Sequence, residues 1–240
     1  MYLSGMQTRQ KLVVLSGAGI SAESGIKTFR DNDGLWENHR VEDVATIEAW
    51  HRDPVLVQTF YNQRRKQLPT VQPNAGHYAL ARLEEKYNVT IITQNVDDLH
   101  ERAGSTNVMH LHGELLKVRS SKDPDLILDN YDWEASDYEI PMGALCPQQS
   151  QLRPHIVWFG EAVPMIESAI AQVLDAELFI VTGTSLAVYP AAGLVDFVDS
   201  SVPIYVVDPN IPEVRRRDNI TLIPEAASTG LARLVEQLMQ

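Results

Sequence analysis

The chain has 240 residues, 44% hydrophobic composition and a formal net charge of −12, enough for one large domain or a main domain carrying a small insertion. Its longest apolar stretches, such as Leu12–Leu15 and Leu178–Val181, are far too short to span a bilayer, and Met1–Gln10 lacks the apolar centre of a signal peptide, so a cytoplasmic location with no membrane partner is expected. The acidic balance argues against direct nucleic-acid binding, and the single cysteine, Cys146, excludes a disulfide framework and any Cys-based zinc site.

From the N-terminus onward, short β-rich apolar runs end in Gly, Asn or Asp and lead into longer helix-like stretches, the rhythm of an α/β fold with a doubly wound parallel sheet. The first predicted strand, Lys11–Ser16, enters Gly17-Ala18-Gly19-Ile20-Ser21-Ala22. Here Gly17 permits a tight turn, Gly19 close backbone approach to a pyrophosphate, and Ala22 close packing of helix on sheet; an ordinary structural turn would use the same glycines. Phe29 to Gln72 break the rhythm and read as a loop, containing Asp31-Asn32-Asp33-Gly34, followed by a helical lobe with patterning from Pro54 to Leu68. On that helix Arg64, Arg65 and Lys66 form a basic run that by itself reads as a solvated face.

The second strand, Val89–Thr93, ends in Gln94-Asn95-Val96-Asp97-Asp98, where α/β folds keep their ligands, although Asp97 or Asp98 could equally cap the next helix. The third, Val108–Leu111, runs into His112-Gly113-Glu114. Strand alternation groups His110, His112 and, if the strand continues, Glu114 on one face, which leaves a metal site and a general base as competing readings. A base is favoured for His112, because neutral imidazole titrates near working pH and Gly113 leaves room for a ligand. Ser120–Leu152, with Pro124, Pro141 and Pro147, reads as an irregular insertion or small subdomain. Further strands are expected at His155–Phe159, Leu178–Thr182 leading into Gly183-Thr184-Ser185, Ile204–Val207 and Thr221–Ile223. Asp208 stands where ribose-binding carboxylates usually sit, and is also a sound turn residue before Pro209 and Asn210.

In order and spacing, Gly17-Ala18-Gly19-Ile20-Ser21 through Phe29-Arg30, Thr93-Gln94-Asn95-Val96-Asp97, His112-Gly113, Val157-Trp158-Phe159-Gly160-Glu161 and Gly183-Thr184-Ser185 resemble the motifs of the sirtuin family. The likeness covers nearly the whole chain and is nearest to the bacterial CobB-like members. It implies a large Rossmann-like domain, about residues 8–28, 75–118 and 153–240, and a small domain from about 29–74 and 119–152. NAD and an acyl-lysine protein or peptide would meet in the cleft between them. The reaction so implied consumes NAD: the nicotinamide–ribose bond breaks, the acyl oxygen attacks the ribose carbon, and free lysine, nicotinamide and an O-acyl-ADP-ribose result.

By the same resemblance Gly17, Ala18, Gly19, Ser21, Phe29 and Arg30 belong to the segment around NAD, and Gln94, Asn95 and Asp97 to its nicotinamide end, with an ordered water held by Asn95 and Asp97. Gly183, Thr184 and Ser185 would contact the phosphates and adenosine ribose, Asp208 or Asn210 the ribose hydroxyls, and Ala227 the adenine. His112 would deprotonate the ribose hydroxyls, with Asn95 and Asp97 completing the catalytic group. Val157, Phe159, Gly160 and Glu161 would present backbone to the substrate. Tyr61 and Arg64 share a helix face and resemble the Tyr-x-x-Arg pair of sirtuins that accept acidic acyl groups, so desuccinylation or demalonylation is expected beside deacetylation.

The chain departs from the family where most sirtuins hold zinc on four cysteines: Ser120 to Gln149 contain only Cys146, with Ser120 and Ser121 about where the first thiolate is expected. No zinc is expected, and Tyr131, Trp133, Tyr138, Ile140 and Leu145 are the expected apolar cluster of the small domain. Lys27 stands where the family commonly has proline. A monomer is expected. An NAD-dependent dehydrogenase, a non-catalytic NAD sensor and a protein ADP-ribosyltransferase remain as alternatives.

Overall fold

The structure, a computed structural model, describes residues 9–27, 35–215 and 217–240; Phe29 and Arg30, expected near NAD, lie outside the described residues. The chain opens with strand β1 (Lys11–Ser16), the short helix α1 (Gly19–Ala22) and a hairpin of β2 (Leu35–Trp36) and β3 (His39–Arg40). Helices α2 (Val41–Val44), α3 (Ile47–Arg52) and α4 (Pro54–Gln67) follow. The start of α4 is written in the sequence: the Asp53 carboxylate accepts from the Leu56 N–H at 3.0 Å and Pro54 occupies the first turn.

Helix α5 (Ala75–Arg82) leads to β4 (Asn88–Thr93), then α6 (Leu99–Arg102), β5 (Val108–His110), β6 (Gly113–Ser120), β7 (Ile127–Leu128) and β8 (Leu152–Ile156). The last third holds α7 (Ile166–Leu174), β9 (Leu178–Thr182), β10 (Ile204–Val207), β11 (Ile220–Ile223) and α8 (Ala227–Leu238).

Six parallel strands form the main sheet in the order β11-β10-β9-β1-β4-β5. From β1 the chain winds outward through β4 and β5, then returns to the other flank of β1 for β9 to β11, which places the reversal of winding between β1 and β9. The carboxyl ends of these two strands border a crevice there. Residues alternate along the strands between two cores. Leu12, Val14, Ile91 and Ile180 pack with α5 and α8 on one face, while Val13, Leu15, Ile92 and Phe179 pack with α7 and the 3-10 segment Ala191–Phe197 on the other.

Two expectations about strands need correction. His155–Phe159 is not a strand of the parallel sheet: the strand is β8, ending at Ile156, and it pairs antiparallel with β6 in a separate sheet of order β7-β6-β8. Val108–Leu111 is also shorter, ending at His110, because Gly113, at φ +82°, turns the chain out of β5 and into β6.

The small sheet rests on Val118, Ile140, Cys146 and Leu152, with Tyr131 and Trp133 packed against them. Leu145, expected in this cluster, is 51% exposed. Arg65, read as part of a solvated face, is fully buried instead. Its Nε donates to the Leu115 carbonyl at 2.7 Å, its Nη1 to Asn62 Oδ1 at 2.9 Å and to the Tyr138 carbonyl at 3.3 Å, and its guanidinium lies 4.4 Å from the Trp133 ring centroid. Helix α4 is thereby fastened to the small sheet by a buried cation.

Candidate active site

Carboxyl ends of β1, β4, β9 and β10 open into one cavity of about 510 Å³. Its wall includes Gly17, Ala18 and Gly19 after β1, Gln94, Asn95 and Asp97 after β4, Gly183, Thr184 and Ser185 after β9, and Asp208 and Asn210 after β10. His112, Tyr61, Ala227 and the stretch from Val157 through Phe159, Gly160 and Glu161 complete it. Most residues singled out in the sequence therefore converge, although they come from distant parts of the chain. Ser21 and Arg64 are not on the wall: Ser21 is fully buried against Asn95 and Asp97, and Arg64 pairs with Glu37.

The glycine turns meet backbone to backbone. The Gly19 N–H donates to the Gly183 carbonyl at 2.8 Å, and a Cβ on Gly17 would stand 2.7 Å from that same oxygen. Gly183 has φ +61°, and a side chain there would run into the Ile20 backbone nitrogen. No larger residue fits this crossing, which keeps the start of α1 against the crevice.

A hydrogen-bonded net behind the wall fixes the amide and the carboxylate. The Asn95 Nδ2 donates to Ser21 Oγ at 3.1 Å, and that hydroxyl donates to Asp97 Oδ2 at 3.0 Å. Asp97 Oδ1 accepts from the Leu99 N–H at 3.2 Å, so Asp97 also serves the start of α6. Burial pushes the Asp97 carboxyl up to about 6 despite these two donors. Beneath them His77 Nε2 lies 3.5 Å from Ser21 Oγ, and His100 Nε2 lies 2.9 Å from Ser16 Oγ. Across the cavity the Gln94 amide donates to Thr184 Oγ1 at 2.9 Å, tying the β4 and β9 loops together.

His110 and His112 differ sharply. His110 Nδ1 faces the Asn95 carbonyl and its Nε2 faces Glu101 Oε1, each at 2.8 Å. Both partners only accept, so both ring nitrogens carry protons. Burial opposes that charge, but Glu101 outweighs it and the His110 pKa is raised. His112 has one acceptor partner, the Gln94 carbonyl, 3.1 Å from its Nδ1. That carbonyl places the proton on Nδ1 and leaves the Nε2 lone pair available. Burial lowers the His112 pKa, which keeps the ring neutral. The metal reading of His110, His112 and Glu114 fails on this geometry: His110 has no lone pair to give, and Glu114 pairs with Lys117 at 2.8 Å. Among the described residues no group of His, Cys, Asp and Glu is placed to hold a metal ion.

The wall formed by Val157–Glu161, next to His112, is held by charge. Glu161 accepts from Arg119 and from Arg153 at 2.9 Å each, and its Oε2 accepts from the Trp158 N–H at 2.9 Å. Arg153 stacks on the Trp158 ring with 3.4 Å from guanidinium carbon to ring centroid. The Val157 N–H donates to the His112 carbonyl at 2.9 Å, and the Phe159 N–H to the Ala45 carbonyl at 3.0 Å. This segment consequently bridges the histidine loop and the helical lobe.

Sequence reasoning missed Trp36, Ala45 and Val188 on the wall, all in stretches with no strand-end signal to point to them. In the small sheet, Ser120 Oγ and Ser150 Oγ are 2.6 Å apart, and Cys146 Sγ lies 3.1 Å from Ser150 Oγ. Two hydroxyls and one thiol bonded to each other are a poor donor set for zinc.

The Sir2 family model matches residues 17–190. An NAD-dependent protein deacylase of Helicobacter pylori is 53% identical over 231 residues, covering 96% of this chain and 98% of the relative. One of Bacteroides thetaiotaomicron is 52% identical over 230 residues, covering 96% and 98%. Among solved structures, a Sir2 homologue in complex with NAD superposes with a TM-score of 0.83 at 38% identity, covering 96% of this chain and 90% of that one. With the α/β fold, the glycine crossing and the histidine loop in agreement, the chain belongs to the Sir2, or sirtuin, family.

Proposed function

We propose that this protein is an NAD-dependent protein lysine deacylase with His112 as its general base. The observation that carries the reading is one neutral histidine whose free nitrogen belongs to a cavity shared by the glycine crossing, the Asn95–Asp97 pair and the Val157–Gly160 segment. A non-catalytic NAD sensor would need no such base, and a dehydrogenase, which can use one, is separated by its product, NADH in place of nicotinamide.

In this reading NAD lies across the glycine crossing. Gly17, Ala18, Gly19, Gly183, Thr184 and Ser185 hold its phosphates and adenosine ribose, Asp208 or Asn210 the ribose hydroxyls, and Ala227 borders the adenine. Asn95 and Asp97 hold the nicotinamide end, kept in register by Ser21. The acyl-lysine enters between His112 and the Val157–Glu161 segment. After the nicotinamide–ribose bond breaks and the acyl oxygen bonds to the ribose carbon, His112 Nε2 takes the proton from a ribose hydroxyl, so that this oxygen can attack the acyl carbon. That carbon then loses its bond to the lysine nitrogen and gains one water, so that free lysine and O-acyl-ADP-ribose follow the nicotinamide already released.

Tyr61 and Arg64 give the reading its acyl preference: a guanidinium paired with a phenol suits the terminal carboxylate of a succinyl or malonyl group. The small domain, about residues 29–74 and 119–152, works without zinc, with Arg65 and the Tyr131–Trp133 cluster in its place. Mass spectrometry of acetyl-, succinyl- and malonyl-lysine peptides, with and without NAD, tests the assignment. Arg64→Met is expected to impair removal of the acidic groups selectively; equal loss for every acyl group refutes the role of Arg64. Stoichiometric zinc in the purified protein by elemental analysis refutes the zinc-free small domain.

A further inference from the structure

Arg64 is not an open anchor. Its Nη1 lies 2.8 Å from Glu37 Oε1, both side chains are only 15% exposed, and the guanidinium carbon sits 5.3 Å from the Phe60 ring centroid. Glu37 is placed there by the tight turn between β2 and β3, where Glu37 and Asn38 have φ +50° and +67°. Its neighbour Trp36 reaches the cavity wall and packs edge-on against Phe60 and Tyr61, with ring centroids 5.0 and 6.3 Å apart. A second cation, Lys27, also borders the cavity; its Nζ is 3.5 Å from Glu37 Oε2, and its side chain is 54% exposed.

We propose that Glu37 is a built-in competitor for Arg64, a carboxylate of the chain itself that an acidic acyl group must displace, and that Lys27 receives Glu37 when it leaves. The proposal rests on the reading of Arg64 as the acyl-carboxylate anchor and adds the residue that sets how strongly that anchor acts. A second carboxylate on the Arg64 guanidinium is repelled by the Glu37 carboxylate already on its Nη1, so binding of the acyl carboxylate favours movement of Glu37 away. The apparent affinity for acidic acyl groups is then reduced by the fraction of molecules in which Arg64 is occupied, whereas an acetyl group, with no carboxylate, is indifferent to it. Lys27 lowers the cost of displacement, because Glu37 keeps one cation as it gives up the other. The same arithmetic makes Glu37 a filter: uncharged acyl groups pass with Arg64 already neutralised.

The test compares kcat/KM for succinyl-lysine and acetyl-lysine peptides of one sequence at saturating NAD, in the full chain and its Glu37→Gln, Lys27→Met and Arg64→Met variants. Glu37→Gln is expected to raise the succinyl-to-acetyl ratio about fivefold, through a lower KM for the succinyl peptide, as expected for removal of one partly buried ion pair. Lys27→Met is expected to lower the ratio. If Glu37→Gln folds poorly by thermal unfolding, Glu37→Asp, one methylene shorter, should raise the ratio by a smaller factor. An unchanged or reduced ratio in Glu37→Gln or its substitute, while Arg64→Met still loses acidic-acyl turnover selectively, overturns the competition and leaves the anchor. Equal loss of both activities in Arg64→Met overturns the anchor, and the competition with it.

Discussion

His110 and His112 lie two residues apart in the chain, yet their surroundings give them opposite protonation states. Two acceptors fix His110 as a cation, and one acceptor plus burial fixes His112 as a neutral ring. A base must be unprotonated, so the proposed role of His112 predicts that activity is lost as pH falls through its pKa. Because that pKa is lowered from 6.5, the acidic limb of a kcat/KM profile should lie below pH 6.5, and a limb above it would contradict the assignment. The pairing of His112 with a ligand crevice was legible in the sequence through its company of glycine turns and amides. Its tautomer was not, since that depends on the Gln94 carbonyl, 18 positions away. Arg65 was misread for a similar reason: nothing in a run of Arg64, Arg65 and Lys66 distinguishes the one that meets Leu115 and Trp133 from Arg64, which pairs with Glu37, and Lys66, which pairs with Asp137 and Glu139. Arg65→Met should remove donors from buried carbonyls and lower stability by roughly 2–4 kcal/mol, measured by urea unfolding; a loss within experimental error would show that the buried cation is dispensable.

Strands with uniform apolar runs were read well, because full burial on both faces leaves a signature in composition. Lys11–Ser16, Leu178–Thr182 and Ile204–Val207 appear with the predicted bounds. By contrast β6, Gly113–Ser120, carries Lys117 and Arg119 among its apolar residues, and Arg119 is buried only because Glu161 pairs with it. A strand made tolerable by a distant carboxylate looks like a loop in sequence. The turn into β6 depends on Gly113, whose φ is +82° and where a Cβ would strike the His155 carbonyl. Gly113→Ala is therefore expected to cost about 1–3 kcal/mol or more in stability and to displace His112, lowering kcat in the fraction that folds. Unchanged urea unfolding and unchanged turnover would show the turn to be more adaptable than this geometry allows.

At the scale of the molecule, the sheet order places the ligand crevice where the direction of winding reverses, and a layer of buried polar groups supports it from below. Burial holds His77 down to about 4 and His100 well below 6.5. A depressed folded-state pKa contributes stability that is present above the unfolded value, 6.5, and lost as pH falls toward the folded one. Asp97 and His110 act with the opposite sign, since a raised pKa favours the folded state as pH falls, but burial lowers His112 and His155 as well as His77 and His100. Thermal stability should thus fall between pH 6.5 and about 4, and His100→Asn should flatten the slope. A flat profile in the unaltered protein would mean that these histidines are not neutral in the folded state.

In the proposed reaction NAD is consumed as an acyl group is removed, with His112 as base. This is tested most directly by incubating the protein with NAD and an acyl-lysine peptide and following nicotinamide, NADH and free lysine together. One nicotinamide and one O-acyl-ADP-ribose are expected for each lysine freed, with no NADH and with loss of lysine release in His112→Ala. Formation of NADH, or undiminished deacylation by His112→Ala, would contradict the proposed reaction.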